Sequence, residues 1–138
     1  MNSVVHFEIT ADEPQRAKKF YGDVFDWKFG ETGPEFGNYI MAMTAPTDEK
    51  GMNKTVGAIN GGIMKKDKTA KQTIITVAVT NLKEILEKVK ANGGKVISEQ
   101  VEIPGIGQYI RIEDTEGNVV SLMEPTNEWQ EKAEKLKT

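Results

Sequence analysis

FGNYIMA (Phe36–Ala42) and IGQYIRI (Ile106–Ile112) decide how this chain is read, because Gly, Tyr and Ile recur in them seventy residues apart. An apolar residue precedes each glycine, and an amide residue separates each glycine from its tyrosine. The elements around them repeat too. VVHFEI (Val4–Ile9) reads as a strand, and QRAKKFYGDVF reads as a helix with Asp12 or Glu13 at its cap, Pro14 in its first turn and a buried stripe of Ala17, Phe20, Tyr21 and Val24. WKF, YIMAM and the region around AINGGI are three further strands, with PTDEKGMNKT as an exposed loop.

The second half follows the same order. QTIITVAV (Gln72–Val79) is a strand, and NLKEILEKVKANGG is a helix with Asn81 and Glu84 at capping-box spacing, Leu82, Ile85, Leu86 and Val89 on one face, and Gly93 as its stop. KVISEQV, QYIRI and NVVSLM are strands, the last two joined by the DTEG turn. Both halves therefore read β-α-β-β-β. At the seventy-residue offset Ile9–Thr10 falls on Val79–Thr80 and Tyr39–Ile40 on Tyr109–Ile110. The expected fold is α+β: one domain over residues 1–138, built of a module at 4–64 and a module at 72–125 that pair into a curved, open sheet around a shared groove, with a tail at 126–138. Trp129, Ala133 and Leu136 give the tail helical spacing.

Size and charge bound the function. A chain of 138 residues, 38% hydrophobic and 28% charged, makes one ordinary globular domain. A net charge of -3 gives no general attraction for nucleic acid or an anionic membrane. The absence of cysteine excludes disulfides, thiolate nucleophiles and thiolate metal sites. MNSVVHFEITADE lacks the features of a signal peptide and no run reaches membrane-spanning length, so the expected location is cytoplasmic.

A four-stranded sheet with one helix covers only one of its faces. Strand alternation puts Val5, Phe7 and Ile9 under the first helix and His6 and Glu8 on the other face; it puts Ile75, Val77 and Val79 under the second helix and Ile74, Thr76 and Ala78 opposite. Tyr39, Met41 and Met43, Tyr109 and Arg111, and Val119, Ser121 and Met123 fall on the same uncovered faces. The expected ligand-binding set is thus His6, Glu8, Tyr39, Met41, Thr76, Tyr109, Arg111 and Ser121. His6 and Glu8 are the catalytic candidates, and His6 is the one candidate metal ligand. Arg111 suits a carboxylate or phosphate, or a salt bridge at a sheet edge. The tyrosines suit stacking or hydrogen bonding, or plain lining. Ser121 has no Ser-His-acid arrangement around it. GAINGGI (Gly57–Ile63) lacks the Lys-Ser/Thr of a phosphate loop, so its glycines mark a bulge, a tight turn or a close backbone approach.

From Val4 to Pro125 the chain resembles the vicinal oxygen chelate superfamily, which includes glyoxalase I, bleomycin-resistance proteins and extradiol dioxygenases. The resemblance is carried by HFEITADEPQRAKKFYGDVFDWKF (His6–Phe29), the strand and helix at Ile74–Val89, and DTEGNVVSLMEP (Asp114–Pro125). It implies that metal-dependent members hold a divalent ion with His, Glu or Gln from the first and last strands of both modules. On this sequence those positions fall near Val4–His6, within Asn60–Gly62, at Ile74 and at Ser121. The expectation is therefore a metal-independent small-molecule binding protein with no cofactor, forming a homodimer and binding neither nucleic acid nor membrane. The alternatives are a divalent-metal-dependent lyase, isomerase or dioxygenase acting on vicinal oxygens, and a structural or regulatory dimerisation module.

Overall fold

The computed structural model describes residues 1–50 and 52–127. The expected helix around Trp129, Ala133 and Leu136 lies outside these residues. The fold is α+β and consists of two tandem βαβββ modules. By backbone contacts the chain divides into two compact units, His6–Ile74, and Met1–Val5 together with Ile75–Thr138.

In the first module the elements are β1 (Val4–Ala11), α1 (Pro14–Phe25), β2 (Lys28–Glu31), β3 (Ile40–Met43) and β4 (Asn60–Lys65). The strand order is β2-β3-β4-β1, with β4 parallel to β1 and antiparallel to β3. Ile9, Ile40 and Ile63 form the buried core, and Phe7, Ala11, Ala17, Tyr21, Trp27 and Phe29 pack against it. The helix stripe is narrower than its spacing suggests. Ala17 and Tyr21 face the core, whereas Phe20 and Val24 are each 55% exposed. The reason lies just past the helix. Asp26 closes α1 in the left-handed conformation, and the returning chain lays Trp27 on Tyr21, centroids 5.0 Å apart and planes 8° apart. That indole covers the surface that a wider stripe was expected to cover.

In the second module the elements are β5 (Ile74–Ala78), α2 (Leu82–Ala91), β6 (Lys95–Val96), β7 (Val101–Ile103), β8 (Gly107–Glu113) and β9 (Val119–Pro125). Here β9 is parallel to β5 and antiparallel to β8, while β6 and β7 both pair with β8. Val79, Leu82, Ile110, Ile112 and Leu122 form the core, with Val77, Ile85, Leu86, Val89, Val96 and Val120 against it. Asn81 caps α2 as expected, its side chain accepting from the Glu84 N–H at 3.1 Å. Two expectations are corrected. Ile75 is 46% exposed rather than under the helix. KVISEQV is two strands, because Ser98 interrupts the ladder: its hydroxyl accepts from the Arg111 N–H at 2.8 Å, a bond that a continuous strand would have supplied from backbone.

The repeat is real but its offset drifts. Tyr39 and Tyr109 stand seventy apart, yet the helix caps Glu13 and Asn81 stand sixty-eight apart. Strand register puts the first strands at the shorter spacing and the third strands at the longer one, since Glu8 and Met41 both partner Gly62 in one module as Thr76 and Arg111 both partner Ser121 in the other. Glu8, not His6, is therefore the counterpart of Thr76. The two motif glycines also differ: Gly37 sits in a turn before β3 at φ +65°, while Gly107 opens β8 at φ +153°, where an added Cβ would strike the Glu124 carbonyl.

Candidate functional site

In the first module, alternation along β1 sends Phe7 and Ile9 into the core and leaves His6 and Glu8 on the opposite face. Glu8 is only 3% exposed. His6 is half-buried, and its Nε2 shares a 2.8 Å hydrogen bond with the Tyr39 hydroxyl, the two rings stacking at 6.3 Å with 23° between planes. Burial pushes the imidazole down from 6.5 to about 4, so it is uncharged at neutral pH. Removing a half-buried imidazole from water disfavours its cationic form, and the phenol partner is neutral and does not restore it.

The two glycines of β4 explain how the aromatic rings fit. A Cβ on Gly61 would overlap the Phe7 ring, and a Cβ on Gly62 would overlap the ring and hydroxyl of Tyr39. Successive strand residues face opposite ways, so one glycine clears each face of the sheet. This bears out the close-approach reading of GAINGGI. Met41 lies across the strand pair from Gly62. A shallow surface hollow of about 320 Å³ lies elsewhere in this module, beside α1 and β2, where Gln15, Lys18, Trp27 and Phe29 line it, and none of the candidates lines it.

In the second module Ser121 and Thr76 are fully buried cross-strand neighbours, and Arg111 is the partner of Ser121 on the other side. The Ser121 Oγ and the Tyr109 hydroxyl are 2.6 Å apart, and Arg111 Nε donates to the same phenol oxygen at 3.1 Å. The guanidinium carbon lies 5.7 Å from the Tyr109 ring centroid, within cation-π range. Tyr109, Arg111 and Ser121 thus form one hydrogen-bonded chain. Glu124, three residues beyond Ser121, acts instead on the second helix. Its Oε2 accepts from the Leu82 N–H at 2.6 Å and satisfies a free donor at the start of α2. Neither that role nor the clearance at Gly62 is named by the repeat, although two adjacent glycines inside a strand pattern signal the second.

The positions that the resemblance assigns to metal ligands fall near Val4–His6, within Asn60–Gly62, at Ile74 and at Ser121. Among the described residues no three His, Cys, Asp or Glu side chains converge. His6 and Glu8 contribute one imidazole and one carboxylate, and the imidazole Nε2 is engaged by Tyr39. The described side chains alone therefore do not fit the ligand set of a divalent ion.

Comparison with known proteins gives a consistent picture. A sequence model of the Glyoxalase/Bleomycin resistance protein/Dioxygenase superfamily matches residues 3–122. A glyoxylase-like domain-containing protein of Didymella fabae is 32% identical over 119 residues, covering 83% of this chain and 88% of that protein. Among solved structures, methylmalonyl-CoA epimerase from Mycobacterium tuberculosis matches with a TM-score of 0.63 and 14% identity, over 93% of this chain and 91% of that one. A variant methylmalonyl-CoA epimerase from Streptomyces coelicolor, in complex with 2-nitronate-propionyl-CoA, matches with a TM-score of 0.65 and 13% identity, over 92% and 96%. At such identities the likeness shows the fold. The expectation of no cofactor is nevertheless corrected by these matches, among which methylmalonyl-CoA epimerases recur. No described helix is long and apolar enough to cross a membrane.

Proposed function

The chain belongs to the Glyoxalase/Bleomycin resistance protein/Dioxygenase superfamily, and from that premise we propose that it is an isomerase-type enzyme moving a proton at a carbon beside a carbonyl, in a small substrate with adjacent oxygens. The observation that carries this reading is Glu8, a carboxylate 3% exposed on the face of β1 away from the helix-packed core, two residues from His6. A carboxylate held in a confined site is a suitable proton acceptor from carbon. In the proposed step the Glu8 carboxylate takes the proton, the electron pair of the C–H bond moves into the carbonyl to give an enolate oxygen, and return of the proton to carbon completes the isomerisation. The epimerase neighbours support this class of reaction over plain sequestration of a ligand.

The other candidates bind. Tyr39 and Met41, in the same module as Glu8, offer aromatic and thioether surface to the substrate. The test is wash-in of deuterium from heavy water, followed by proton NMR, over methylmalonyl-CoA, 2-hydroxyaldehydes, 2-hydroxy acids and 2-oxo acids, with magnesium, manganese, cobalt, nickel or zinc ions added singly. Exchange above the protein-free rate for at least one compound is the expected result. No exchange in any combination rejects the proposal.

A further inference from the structure

We propose that Asn92 is a modification site at which the chain reacts with itself: the Gly93 backbone nitrogen closes on the Asn92 side-chain amide, ammonia leaves, and water opens the resulting succinimide to aspartate or isoaspartate. The inference is independent of the proton transfer proposed for Glu8 and shares no residue with it.

The sequence holds two Asn–Gly pairs, Asn60–Gly61 in GAINGGI and Asn92–Gly93 in KANGG. Their intrinsic chemistry is the same. In each, the amide carbon of the asparagine side chain can close a small ring with the nitrogen of the next residue, and glycine has no side chain to obstruct the approach. Ring closure requires the side chain and the following peptide to turn toward each other. The fold therefore decides which pair reacts.

Asn60 and Gly61 are held in place. They lie in β4, which pairs with β1 on one side and β3 on the other. Asn60 Oδ1 accepts from the Thr44 N–H and from Asn53 Nδ2, both at 3.1 Å. Gly61 is buried, with the Phe7 ring where a Cβ would stand. Turning the Asn60–Gly61 peptide would break the ladder of an inner strand, so the reaction there waits for the sheet to open.

Asn92 and Gly93 are both exposed, at the end of α2. Asn92 is the cap residue and has already left the helical conformation at φ -108° and ψ 20°, while Gly93 follows at φ +88°. The Gly93 N–H reaches the Lys90 carbonyl at 3.4 Å, a long hydrogen bond, and Asn92 Nδ2 donates to the Lys88 carbonyl at 2.8 Å. Fraying of this last turn releases both groups at little free-energy cost. Lys88 and Lys90 stand in the same turn, and their charge favours loss of the proton from the attacking nitrogen.

In the reaction the Gly93 nitrogen gives its proton to solvent and forms a bond to Asn92 Cγ; the Cγ–Nδ2 bond breaks and that nitrogen departs as ammonia. Addition of water at Cγ then gives aspartate, and addition at the backbone carbonyl gives isoaspartate. Either product places a carboxylate at the C-terminal end of α2, where the helix carbonyls already carry partial negative charge, and removes the donor to the Lys88 carbonyl.

The test follows the side-chain amide signals of Asn60 and Asn92 by proton–nitrogen NMR in the full chain, labelled isotopically on nitrogen and held in mildly alkaline buffer, with and without denaturing guanidinium chloride. In denaturant both signals should decay at similar rates. In buffer Asn92 should decay within about tenfold of its denatured rate, because local fraying suffices, whereas Asn60 should be slowed by about a thousandfold or more, because its exposure requires near-global opening. Amide exchange in the last turn of α2 should quicken as the product accumulates, and Asn92→Gln, whose longer side chain closes the ring poorly, should abolish that change. Slowing of Asn92 beyond about tenfold, or loss of Asn60 at a comparable rate, overturns the inference.

Discussion

Lowering the pH from about 7.5 to about 5 should destabilise the protein through His6 alone by an amount that can be worked out. The imidazole falls from 6.5 in the unfolded chain to about 4 in the fold, because burial against Phe7 and Tyr39 disfavours its charge. A depressed imidazole makes the unfolded chain the stronger proton binder, so stability is complete above 6.5, falls as pH drops through that value, and levels off below 4. At pH 5 the unfolded imidazole binds protons favourably enough over the folded one to cost about 2 kcal/mol, and the limiting loss is about 3 kcal/mol. Urea unfolding at half-unit pH steps measures this directly. His6→Gln, which stays uncharged while offering an amide near the Nε2 position, should lack the loss, and the difference between the two curves isolates it from the carboxylates. Asp48 and Asp114 are lowered by backbone hydrogen bonds, so their contributions fall away only at more acidic pH. Parallel curves for the two proteins between pH 7 and 5 would refute the reasoning.

Further outcomes follow from packing and caps. Ile63→Ala, at a side chain with no exposed surface, should cost about 2–5 kcal/mol by urea unfolding, whereas Phe20→Ser on the exposed side of α1 should stay within about 0.5 kcal/mol. Glu124→Leu removes the carboxylate that receives the Leu82 N–H and should lower stability by about 1 kcal/mol, with faster amide exchange in the first turn of α2. Asn81→Ala removes the neighbouring cap and should cost a similar amount, about 1 kcal/mol in thermal or urea unfolding.

How much of this was legible follows from what each pattern measures. The period-two split of β1 placed His6 and Glu8 opposite Phe7 and Ile9, because a strand fully covered on one face leaves no freedom of register. Helical spacing was less informative for α1: Phe20 and Val24 have the period of a buried stripe, but Trp27 arrives from beyond the helix and takes the place they were expected to fill. The KVISEQV run gave no sign of its break, since the Ser98 bond to Arg111 N–H depends on a strand distant in sequence. Seventy-residue identity found the repeat at Tyr39 and Tyr109 but misaligned the first strands by two residues, because element lengths drifted between the modules. The polar pairs themselves, His6 with Tyr39 and Ser121 with Tyr109, join residues thirty-three and twelve apart, and only the common face of their strands pointed to them. Ligand positions within Asn60–Gly62, at Ile74 and at Ser121 argued against a metal from within the chain, and the epimerase neighbours corrected the conclusion drawn from that.

The central claim is that Glu8 moves a proton on carbon, and it is tested most directly by deuterium wash-in to whichever compound the wild-type protein exchanges, measured beside Glu8→Gln. Removal of the base should lower kcat by about a hundredfold or more while leaving KM within a few-fold, in a protein whose urea unfolding remains cooperative. Undiminished kcat in Glu8→Gln would contradict the account.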